Sequence, residues 1–163
     1  MKEIKERVIG YTRKNRPDRI EYHLTWSNYF LATKFDVLKK LTEMTGIYVV
    51  FYLNKYKRLT PLMLGAAWYS GLRPMALKIY TKVSTDNIPA YIYSKVETEK
   101  IYIKYIEIYV LEDMLNIFFK LREQYKDAFI DTNGLECPSN LDRVKIVEEN
   151  TKFYHKTYPH PDI

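Results

Sequence analysis

The chain has 163 residues, with 26 Lys or Arg against 20 Asp or Glu and a formal net charge of +6. That length suits one domain, residues 1–163, with a core that needs no covalent staple, and the single cysteine, Cys137, excludes an intrachain disulfide and a cysteine-based zinc cluster. The start MKEIKERVIG is charged and no apolar stretch reaches the length of a membrane span, so an unprocessed, soluble, cytoplasmic protein with no membrane partner is expected.

In chain order, residues 1–18 have weak periodicity and run into the basic segment RKNRPDR, which predicts a mobile basic arm. Residues 19–26, RIEYHLTW, alternate as a strand does. Over 27–44, Leu31, Phe35, Leu38 and Leu41 recur at helical spacing, with Ser27 as a plausible N-cap and Gly46 as a stop. The β-branched and aromatic run IYVVFYLN predicts a strand, and NKYKRLTP the turn that follows. Residues 61–74 are ambiguous: Thr60 and Pro61 suit a helix start with Gly71 as its end, yet LML also suits a short strand entering a helix at Ala66.

MALKIYTKV, AYIYSKVE and IYIKYIEIYV then read as strands. Residues 111–125 predict a helix with Glu112 and Asp113 in its first turn and Leu111, Leu115, Phe118 and Tyr125 on its inner face. A final helix over 139–155, capped by Ser139 and carrying Leu141, Val144, Val147 and Phe153 or Tyr154, completes an α+β domain: a small, mostly antiparallel sheet covered by three or more helices.

The positive charge favours an anionic partner, DNA or another nucleic acid. Two basic groups are candidate phosphate contacts: Arg13, Lys14, Arg16 and Arg19, then Lys55, Lys57 and Arg58. The chain is also rich in tyrosine, with 16, and Tyr91, Tyr93, Tyr102, Tyr105 and Tyr109 on a sheet surface would offer stacking faces for bases.

Across residues 45–135 the succession TGIYVVFYL, LMLGAAWYSGLR, VLEDML and DTNG resembles a divergent GIY-YIG nuclease. The resemblance implies a Mg²⁺-dependent DNA endonuclease or a catalytically weakened relative. It assigns Tyr48 to water activation, Arg73 to the phosphate, Glu112 to Mg²⁺ and Asn133 to positioning, with Gly65 as the glycine of the second signature. The tyrosine of that second signature is replaced by Met63.

EYHLTW also resembles the opening strand of His-hydrophobe-His transposases, but His155 and His160, the remaining histidines, lie in the tail and supply no second metal cluster. No phosphate-binding loop, dinucleotide fingerprint or nucleophile elbow is present. The non-enzymatic alternative is a nucleic-acid-binding or partner-docking protein of viral or mobile-element type.

Overall fold

The apolar run from Ile47 to Leu53 is unbroken because its strand is covered on both faces. Ile47, Val49 and Phe51 point into one buried cluster, and Tyr48 and Val50 into the other. The computed structural model describes residues 9–83, 86–149 and 158–159.

Along the chain run β1 (Gly10–Asn15), β2 (Ile20–Thr25), β3 (Phe30–Leu31), α1 (Lys34–Lys40), β4 (Gly46–Leu53), β5 (Arg58–Ala67), α2 (Leu72–Leu77), α3 (Ala90–Thr98), β6 (Ile101–Glu107), α4 (Leu111–Gln124), β7 (Phe129–Asp131), β8 (Val144–Glu148) and β9 (Tyr158–Pro159). The fold is α+β. The strands form a six-stranded sheet, β3-β6-β4-β5-β7 with β9 also paired to β5, and a three-stranded sheet, β1-β2-β8. The smaller sheet contributes Tyr22, Leu24 and Val144 to the same cluster as Met114, Ile117 and Phe118 of α4, which covers one face of the larger sheet. Val37 of α1, Leu72 and Met75 of α2 and Ile92 of α3 cover the other.

Several sequence expectations are corrected. The helix expected over 27–44 is confined to Lys34–Lys40. Phe30 and Leu31 pair with β6 instead, and Thr33 starts the helix through a reciprocal capping box with Asp36. Ser27 caps no helix; its backbone N–H and its hydroxyl oxygen bind the main chain of Tyr105. Of the apolar positions at helical spacing, Leu31, Phe35 and Leu38 are exposed, and Leu41 is buried.

Residues 61–67 continue β5, with Pro61 accommodated where the pairing with β4 slips between Val50 and Phe51. Gly71 precedes α2 and does not end a helix. Strands expected over 75–83 and 90–97 are replaced by α2 with its trailing turn and by α3. In α3 the four-residue spacing of Ile92 and Val96 against the core outweighs the β-prone composition.

In residues 139–149, the described part of the C-terminal helix expected over 139–155, a short 3-10 turn, Leu141–Arg143, is followed by β8, which lies parallel to β2. Sheet pairing satisfies the backbone there, and Ser139 makes no cap. Phe153 and Tyr154 lie outside the described residues. Residues 10–15 of the expected mobile arm form β1, paired antiparallel with β2; residues 1–8 lie outside the description. Among the described residues no helix is long and apolar enough to cross a membrane.

Candidate nucleic-acid interface

Tyr48 lies opposite Gly65 in the β4/β5 register, and its ring rests directly on that glycine. A Cβ at position 65 would overlap Cζ, Oη and Cε1 of the phenol. Gly46 is required in the same way by the carbonyl of Ile106 on β6. The glycines and the tyrosine that resemble nuclease signatures are therefore explained by close packing across three strands.

The phenol cannot serve as a water activator. Tyr48 is 0 % exposed, and its hydroxyl has only a long 3.5 Å contact with the Met75 carbonyl. Burial raises its pKa well above the ordinary value, and Asp131 and Asp86 push it further in the same direction. Desolvation and neighbouring carboxylates both disfavour the phenolate that activation requires.

The remaining assigned residues have structural partners as well. Arg73, at the start of α2, donates from Nε to the Leu41 carbonyl at 2.8 Å and pairs with Glu43 at 3.4 Å. Asn133 adopts a left-handed φ of 51°, takes an Asx-type contact from its N–H to Asp131 at 3.2 Å, and reaches the Met75 sulfur. Tyr48, Arg73 and Asn133 thus gather around α2, on one side of the larger sheet. Glu112 belongs to α4 on the other side, where Arg13 pairs with it at 3.3 Å. The four side chains do not converge.

A Mg²⁺ ion does not fit these donors. Glu112 offers one carboxylate, already paired with a guanidinium, and no group of three or more His, Cys, Asp or Glu that could hold a metal occurs among the described residues.

The first basic group is largely neutralised within the fold. Arg13 reaches Glu112 and Asp113, Arg19 reaches Asp18 and Glu21, and Arg16 reaches Glu21 at 3.7 Å. The Arg19 guanidinium, with help from His23 and Arg16, holds the Glu21 carboxyl down at about 2. Lys14 is exposed and has no ion pair among the described residues.

Asp113 instead joins the two sheets' layers. It is 5 % exposed and accepts from the hydroxyls of Tyr11 and Tyr22, the latter at 2.7 Å, and from Arg13 at 2.9 Å; Asn116 donates to Tyr22 at 3.0 Å. This network pins β1 and β2 to the start of α4.

The second basic group is arranged differently. At the β4–β5 turn, the Asn54 side chain accepts from the N–H groups of Tyr56 at 2.9 Å and Arg58 at 3.1 Å and donates to Thr60, while Lys57 takes a left-handed φ of 58°. The result is a fixed tip from which Lys55, Tyr56, Lys57 and Arg58 are all exposed. β6 begins beside it, since the Leu53 N–H donates to the Lys100 carbonyl at 2.9 Å, and α3 brings Lys95 over the Tyr52 ring at 4.6 Å.

Lys55, Lys57, Arg58, Lys95 and Lys100 therefore share one end of the larger sheet, and none has an ion-pair partner among the described residues. Glu97 and Glu99 are the acids on the adjoining segment.

One protein-family profile, described as "Uncharacterised protein", matches residues 9–162. The chain belongs to that family. No curated protein and no solved structure gave a match.

Within this family member, Tyr52, Tyr56, Lys95 and Lys100 join the turn cations named from the sequence. Tyr56 had a local signal, standing between two lysines in a turn. Lys95 and Lys100 had none, because only the meeting of α3, β6 and the turn brings them there. The expected tyrosine platform is not a sheet face: Tyr91 and Tyr93 lie on α3, Tyr102 is buried, Tyr105 packs against the core and Tyr109 follows the end of β6.

Proposed function

We propose that this protein binds nucleic acid at the β4–β5 turn end of the larger sheet and does not cleave it. The observation that carries the reading is the unpaired state of Lys55, Lys57, Arg58, Lys95 and Lys100 around two tyrosine rings. Lys55, Lys57, Arg58 and Lys100 face water at this one end of the sheet, where each phosphate neutralised releases a condensed counterion. The fixed turn reduces the ordering that binding would otherwise require. The endonuclease reading would need a solvent-accessible phenol and a carboxylate on the same side of the sheet, and Tyr48 and Glu112 supply neither.

The test is fluorescence anisotropy with a labelled oligonucleotide, comparing the intact chain with the triple variant Lys55→Gln, Lys57→Gln, Arg58→Gln. Loss of three phosphate contacts should weaken binding on the order of a hundredfold at about 50 mM salt and reduce the slope of log K against log salt by about 2. Unchanged affinity in the triple variant would place the interface elsewhere. The oligonucleotide should remain uncut in the presence of Mg²⁺.

A further inference from the structure

We infer that the ligand is a single strand, one of whose unpaired bases stacks on Tyr56. The inference rests on the proposed interface and adds the substrate class. Tyr56 is 71 % exposed and belongs to neither buried cluster. It is nevertheless held: its N–H is bound to Asn54, and the turn's next residue is kept in a left-handed conformation that lysine seldom adopts. The Lys55 ammonium stands 5.1 Å from the ring centroid, leaving the rest of the ring open to solvent.

A ring backed by a cation and open elsewhere is a stacking surface for a flat π-system. Lys57 and Arg58, exposed at the same turn, would neutralise phosphates of a strand whose base stacks there. A duplex keeps its bases stacked on one another and presents no such face without unstacking, whereas a single strand presents one at every nucleotide. Tyr52 beneath Lys95 repeats the ring-and-cation pairing at the same end of the sheet.

Anisotropy titrations should compare a single-stranded oligonucleotide with a blunt duplex of equal length at one salt concentration. The proteins required are the intact chain, Tyr56→Ala, Tyr56→Phe and the Lys55/Lys57/Arg58 triple variant. The single strand should bind more tightly than the duplex. Tyr56→Ala should weaken it roughly 5- to 150-fold without altering the salt slope, and Tyr56→Phe should stay within about twofold.

A Tyr56→Ala protein that binds as well as the intact chain, while the triple variant loses binding, would overturn stacking and leave the interface standing. Equal or tighter duplex binding would overturn the single-strand assignment. Binding undiminished in the triple variant would remove the interface itself. Tyr56 is exposed at a turn, so these variants do not put folding at risk.

Discussion

Truncation of Tyr48 to alanine is expected to destabilise the protein by about 3–5 kcal/mol, the range for emptying a large aromatic from a closed core. The ring is fully buried between β5 and α2, and Gly65 opposite it cannot fill the space. Tyr48→Phe should change stability by less than about 1.5 kcal/mol, because the hydroxyl it removes makes only the 3.5 Å contact with Met75. Gly65→Ala should cost roughly 1–3 kcal/mol by driving a methyl group into the phenol. Combined with Tyr48→Leu, it should cost less than the sum of the two separate changes, since the smaller side chain frees the space. Urea unfolding of the five variants, Tyr48→Leu alone among them, measures all of this. A Tyr48→Ala protein as stable as the parent would contradict the packing role.

Asp113→Ala should cost a similar amount, about 3–5 kcal/mol, because it strips one carboxylate from Arg13 and two phenols in a nearly closed site. Asp113→Asn keeps the shape and one acceptor, and should fall between the two.

The network also sets an alkaline limit. Burial first, and then the hydrogen bond to Asp113, raises the Tyr11 pKa above its ordinary value of 10.0; burial raises that of Tyr22, with Asn116 opposing and Asp113 assisting. A phenol whose folded pKa is raised contributes stability that is fully present below about pH 10 and is lost as pH rises through the folded value. Stability should therefore decline above pH 10, and the decline should level off at a lower pH in Asp113→Ala, whose phenols keep less of the shift. Levelling at the same pH in the two proteins would separate Asp113 from the phenols.

Both variants concern residues whose sequence signals are open to more than one physical explanation. A glycine, a β-branched residue and a tyrosine at the start of a strand is what a catalytic signature looks like, and it is also what a ring laid over a neighbouring glycine requires. β4, β6, β2 and α4 were legible because each carries its own period or composition over most of its length. α3 was not, since AYIYSKVE has the side chains of a strand and its helical spacing matters only against the α1–α2 side of the sheet. The helix expected over 27–44 shrank because β6 offered Phe30 and Leu31 a strand partner from more than seventy residues away.

The basic groups divide by the same logic. Lys55, Lys57 and Arg58 lie in a local turn, and their exposure could be read directly. Arg13 is matched by Asp113, 100 positions along the chain, so its neutralisation could not be read from neighbouring residues.

Titration of the isotopically labelled chain with a short single-stranded oligonucleotide, followed through backbone amide chemical shifts, tests the central claim most directly. The account predicts that the largest shifts fall at residues 54–58 and 95–100, with Tyr48, Arg73 and Glu112 unperturbed and the strand intact after incubation with Mg²⁺. Shifts centred on β1 and the start of α4, or a cleaved strand, would contradict it.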